Sequence, residues 1–208
     1  MANSIRLFVR ESWLLIVSSF LFGLLLAVTD AAWSPRIVQN ELNKFNKLAA
    51  ALFGKEGTTF EPIEGISLNS SKGQPIPVDV RKAMLNGQCI GWAFMAEGSG
   101  FAGPIRLVVA ADAGFEKILG FGTLVCNETP GFGDKIKIRG GFYEKQYQGA
   151  PVGPFALTKA GDPAAIDSTI VAITGATVTS DAVVAIFNRY AVAIQTQMKA
   201  KGLLSHGQ

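Results

Sequence analysis

An α+β fold behind a single N-terminal transmembrane helix is the architecture this sequence predicts. Three observations carry it. Residues 13–33 are almost wholly apolar, the middle of the chain is a series of short apolar segments broken by Gly-rich turns, and residues 181–201 show a helical apolar period. Strands that follow one another without intervening helices pair as an antiparallel sheet, and the flanking helices then pack on it.

The first element spans Trp13 to Trp33, interrupted by Asp30 and softened by Ser18, Ser19 and Gly23. About 20 helical residues rise about 30 Å, the thickness of a bilayer's hydrocarbon core. The two tryptophans fall where interfacial aromatic belts are expected. Arg6 and Arg10 precede the span, so the positive-inside bias puts the N-terminus in the cytoplasm and the main domain outside. A cleavable signal peptide, with Ala27, Ala31 and Ala32 as small cleavage-site residues, competes with a retained anchor; Asp30 and the length of the run favour the anchor. The expected division is an anchor over residues 1–33 and an exported domain over residues 34–208.

Ser34-Pro35 reads as a helix start, a capping serine with proline at the first helical position. Ile37, Leu42, Phe45, Leu48, Ala49 and Leu52 then recur at helical spacing up to Gly54. Residues 54–74 are polar and rich in Gly and Ser, so they read as loop. Strands are expected at 76–80, 88–96, 105–110 and 118–125, with a bend at Gly98-Ser99-Gly100 and a hairpin turn at residues 111–116. Tyr143 and Tyr147 suggest a short helix, and a last strand is expected near 169–173. The closing helix buries Val183, Phe187, Tyr190, Ile194 and Met198 on one face, with Thr179 or Ser180 as its cap.

Composition narrows the function. Apolar residues make up 49% of the chain and charged ones 17%, which excludes a disordered protein. The net charge of +3 is spread thinly, with no run of Lys or Arg, so nucleic-acid binding has no support. The single histidine, His206, leaves no histidine-dependent triad or metal centre. Cys89 and Cys126 sit in separate apolar segments and stay open to three readings: free thiols, a disulfide, or ligands lent to an interface.

Two segments carry chemistry. Thr174-Gly175-Ala176-Thr177-Val178-Thr179-Ser180 sets hydroxyl side chains around a small Gly-Ala pair immediately before a helix. Free backbone N–H groups at a helix start stabilise anions, phosphate above all. Thr177 is therefore a candidate to hold a phosphate group by hydrogen bonds or through an ester. A helix cap accounts for one hydroxyl and leaves Thr174 and Thr177 unexplained. Upstream, Glu128-Thr129-Pro130-Gly131-Phe132-Gly133-Asp134-Lys135 combines a Pro-Gly turn with a second glycine that permits close backbone approach, suited to a flat ligand or to a plain surface turn.

Together these segments resemble the RnfG/NqrC family, FMN-binding subunits of ion-translocating electron-transport complexes. The first looks like the family's [S/T]-G-A-T-x-[T/S]-S motif and the second like its E-T-P-G-L-G-D-K loop, with Phe132 replacing leucine. Gly98-x-Gly100-x-x-Gly103-Pro104-Ile105 is similar to the glycine-rich entry to a family strand. The resemblance implies FMN joined by a phosphoester to Thr177, installed after export by a flavin transferase. The acidic residue that family members often carry six positions before that threonine is Val171 here, with Asp167 nearby.

On this resemblance Thr174, Gly175, Ala176, Thr177, Thr179, Ser180, Glu128, Thr129, Gly131, Gly133 and Lys135 are the expected cofactor-binding residues. Lys135 is either a solvated charge or a stabiliser of the reduced ring. The implied role is a relay within an Rnf-type complex coupling ferredoxin and NAD redox chemistry to ion movement, beside subunits of A, D and E type. Alternatives are a freestanding anchored flavodomain serving another acceptor and a flavin-free assembly subunit.

Overall fold

The computed structural model describes residues 2–69 and 73–204, with side chains from residue 12 onward. The side chains of Arg6 and Arg10, and all of His206, lie outside the described residues. The chain forms two compact units, Met1–Lys44 and Phe45–Gln208.

The first unit is helical from Ala2 onward. Helix α1 runs Ala2–Phe53 with Pro35 inside it, so Ser34 does not start a new helix. Its hydroxyl donates back to the Asp30 carbonyl oxygen at 2.8 Å, the bond of a serine within a helix. Pro35 removes one donor on an exposed face, where solvent can satisfy the freed carbonyl. From Ser12 the helix is long and apolar enough to cross a membrane. Ile37, the first of the apolar residues at helical spacing, is exposed.

In the second unit a five-stranded antiparallel sheet has the order β1 (Thr59–Ile63), β4 (Val80–Leu85), β5 (Gln88–Ser99), β6 (Pro104–Asp112), β7 (Ile118–Cys126). Alternation along the strands builds a core on each face. Trp92, Phe94, Leu107, Val109 and Phe121 point into the larger one, shared with Val183, Phe187, Ile194 and Met198 of α3 (Thr177–Ala200). Ala93 and Val108 point the other way, onto Phe45 and Ala49 at the end of α1. Strands covered on both faces read as nearly continuous apolar runs, which is how β5 and β6 look in sequence.

The region expected to be loop, residues 54–74, contains β1 and β2 (Ser67–Asn69), the latter paired with β3 (Pro75–Pro77). These strands are short, polar and partly edge, so they carry little periodic signal. The strand expected at 76–80 is displaced: β3 precedes it, and the main-sheet strand β4 begins at Val80 and turns into β5 through Asn86-Gly87, both at positive φ (51° and 78°). The hairpin at 111–116 is present, closed by Asp112 Oδ1 accepting from the N–H groups of Glu116 and Lys117. The last strand, β9 (Thr169–Val171), pairs in parallel with β8 (Ala156–Thr158), apart from the main sheet.

Amide side chains hold the small strands in place. Gln146 accepts from the Val171 N–H and donates to its carbonyl oxygen, and Asn188 does the same to Phe155 beside β8. Gln197 grips Ser67 of β2 in the same two-handed way. Each satisfies a backbone pair that would otherwise be unpaired in a partly dry setting.

Candidate functional site

The deciding local feature is where α3 begins. It starts at Thr177, four residues before the expected Asp181, and its N-cap is Ala176, which makes no side-chain capping bond. Thr179 and Ser180 are therefore not caps. The first backbone bond of the helix is from the Ser180 N–H to the Ala176 carbonyl oxygen at 3.0 Å, so the N–H groups of Thr177, Val178 and Thr179 have no partner among the described residues.

Ser180 works beneath the turn. Fully buried, its hydroxyl accepts from the Ile173 N–H and donates to the Ala176 carbonyl oxygen, each at 3.0 Å. These two bonds close the Thr174–Ala176 loop on itself. Gly175 completes it with φ +80°, and a Cβ there would stand 2.9 Å from the Phe132 ring. From below, the Tyr143 hydroxyl donates to the Ser180 carbonyl oxygen at 2.8 Å. Its single proton being used there, Tyr147 donates to the Tyr143 oxygen, 3.1 Å away. Burial pushes both phenols above their ordinary value.

In front of the turn lies a cleft of about 460 Å³, within the usual range for small-ligand sites. Glu128, Thr129, Gly133, Gly175, Ala176, Thr177 and Thr179 line it, so the fold brings the two well-separated motifs to one place. Thr177 is half-buried at its edge. Thr174, exposed, and Gly131, at φ +78°, shape the two turns without lining the cleft. Lys135, in a 3-10 helix over Gly133–Lys137, is exposed and stands outside the lining.

Sequence reasoning passed over three residues: Phe101, Phe132 and Val178 also line the cleft, and all are well exposed at its mouth. The signal for Phe132 was its replacement of a leucine; Phe101 lies between Gly100 and Gly103. They give the cleft apolar surface, and the uncapped helix start gives it backbone N–H groups suited to an anion. Close packing keeps the wall thin: a Cβ on Gly133 would stand 2.6 Å from Thr179 Oγ1 and 2.8 Å from Glu128 Oε2. A flat ring and a phosphate together fit this donor set and this glycine cradle.

Residues 100–192 match the family model of the FMN-binding domain. This stretch is similar to FMN-binding domains. The resemblance to the RnfG/NqrC family is borne out by the relatives it has. The chain is 34% identical over 134 residues to the G-type subunit of the ion-translocating oxidoreductase complex of Pectobacterium atrosepticum, covering 62% of this chain and 61% of that one. To the corresponding protein of Shewanella loihica it is 41% identical over 95 residues, 43% of this chain and 42% of the relative. The chain thus spans about three fifths or less of these relatives' lengths. The fold is similar to that of Shewanella oneidensis NqrC, with a TM-score of 0.54 at 21% identity over 68% of this chain and 70% of the other.

Both cysteines are free thiols, Cys89 half-buried and Cys126 buried. Burial raises the Cys126 thiol above its ordinary value.

Proposed function

We propose that this protein is the covalently flavinylated electron carrier of an Rnf-type ion-translocating oxidoreductase complex, the counterpart of RnfG. The observation that carries the reading is the Thr177 hydroxyl at the first helical position of α3, at the edge of the FMN-binding domain's cleft, beside unpartnered N–H groups. Thr177 would carry the phosphate as an ester. The N–H groups of Val178 and Thr179 would stabilise its remaining charge, a helix-terminus effect of about 0.3–1 kcal/mol, rising to about 2 when partly buried. Gly175 and Ala176 leave room for the phosphate, Thr174 shapes the turn, and Ser180 holds it from beneath. Thr129 and Gly133 would bring backbone close to the ring, against Phe132 and Phe101, and Gly131 would shape the turn between them. When bound, the flavin supplies electron transfer, and the domain supplies position and electrostatics.

A tether of this kind removes dissociation as a route of cofactor loss, which matters for a carrier outside the cytoplasm. The N-terminal helix would anchor the domain in the bilayer through residues 13–33, with the N-terminus cytoplasmic and residues 34–208 on the far side. A flavin transferase would install the group after export. Subunits of A, D and E type would be its neighbours.

The test is denaturing gel electrophoresis under ultraviolet light, after expression with an active flavin transferase. The wild-type band is expected to fluoresce, Thr177→Ser to keep some of the signal and Thr177→Ala to be dark. A fluorescent Thr177→Ala band would refute the site, and a dark wild-type band would favour a flavin-free assembly role.

A further inference from the structure

The fold gathers three separated segments of the sequence at one carboxylate. Glu128, 4% exposed, accepts from the Ala102 N–H at 3.1 Å through Oε1 and from the Thr179 hydroxyl at 2.6 Å through Oε2. The backbone closes tightly round it: a Cβ on Gly100 would stand 2.2 Å from Oε1, and one on Gly133 2.8 Å from Oε2. Glycine at both positions is what lets the Gly100–Gly103 turn and the 128–133 loop meet there.

Both donors to Glu128 are neutral. Among the described residues no lysine or arginine lies within ion-pairing distance of it. Carboxylates this deeply buried are ordinarily paired with a cation or a metal. This one instead forms part of the wall of the ligand cleft. Both of its oxygens act as acceptors, the arrangement suited to an ionised group.

We infer that the charge of Glu128, which has no ion-pair partner among the described residues, lowers the reduction potential of the flavin seated in this cleft. The inference rests on the reading that FMN occupies the cleft. Reduction adds negative charge to the ring, and a fixed negative charge in a low-dielectric wall opposes that addition. The positive end of α3 offsets little of this, because the phosphate's own charge is matched to it. Lys135 is exposed, where solvent and salt screen its field. Of these two side chains Glu128 therefore dominates the local field.

The experiment uses the full-length, flavin-loaded chain in detergent, with the midpoint potential read by spectroelectrochemical titration. Glu128→Gln removes the charge and keeps the shape: its amide oxygen can accept from Ala102, and its NH2 can donate to the Thr179 oxygen. Thr179→Val keeps the charge and removes one of its two hydrogen-bond donors, leaving its field less damped. The expected results are a higher potential in Glu128→Gln and a lower one in Thr179→Val. An unchanged or lower potential in the first, or an unchanged or raised potential in the second, overturns the inference, and the second stands as a test if the first variant fails to fold. A wild-type protein that carries no flavin sinks the FMN reading itself and this inference with it, whereas a flavin-loaded wild type with indifferent variants sinks the inference alone.

Discussion

Thr177 combines a hydroxyl side chain with the first helical position of α3, beside backbone N–H groups that the helix leaves unbonded. Its identity as a candidate was legible, because hydroxyls around a Gly-Ala pair before a helix are a pattern of residue types. The free N–H groups beside it were not, because reading by capping preference assigns the helix start to the nearest serine or threonine and passes over alanine. The structure shows why alanine stands there: Ser180, the favoured cap by type, is occupied beneath the turn. Gly175 is fixed by geometry on two counts, φ +80° and the Phe132 ring 2.9 Å from a would-be Cβ. Gly175→Ala is expected to destabilise the domain by about 1–2 kcal/mol and to cut flavin incorporation sharply. Chemical denaturation checks the first and in-gel fluorescence the second, and full incorporation in a normally stable variant would rule out this role for the turn.

Among the helices and strands, the legible ones were those with a strong period. Strands β5, β6 and β7 follow from apolar runs bounded by turn residues, and the buried stripe of α3 from the helical spacing of residues such as Val183 and Phe187. Asn86-Gly87 carried a hairpin signal that the expected strand at 76–80 obscured. What no period could reveal is held by polar side chains: β9 depends on Gln146, and the start of α3 on Tyr143. Gln146→Ala strips both partners from the Val171 backbone, and a loss of about 1–3 kcal/mol is expected for each buried group left unpaired. A change below about 0.5 kcal/mol in denaturant unfolding would show that β9 is held otherwise. Alkaline pH offers a second check. Cys126, Tyr143 and Tyr147 all have raised values in the fold, chiefly from burial. Their protonated forms are retained when folded and lost when unfolded, so stability is fully present below about pH 8 and falls as pH rises through about 9 to 11. Thermal melts across that range are expected to show a falling Tm, less steeply in Tyr143→Phe, and a flat profile would be inconsistent with the burial of these groups.

Taken whole, the chain carries an apolar N-terminal helix and a stretch similar to FMN-binding domains. The helix was legible from length and hydropathy alone; that it continues through Ser34-Pro35 to Phe53 was not, since the same residue pair starts helices elsewhere. An anchored chain is expected to stay in the membrane pellet after alkaline carbonate extraction, and release into the supernatant would exclude anchoring. Membership of a complex predicts copurification with several polytopic subunits after mild solubilisation, whereas a lone flavodomain would elute by itself. Mass spectrometry of the protein isolated from its own host membranes decides whether a flavin is esterified to one hydroxyl. The expected spectrum shows the mass of one FMN group added to the chain and mapped to the Thr177 side chain. A chain unmodified there, or one whose flavin maps to a different residue, would refute the tether.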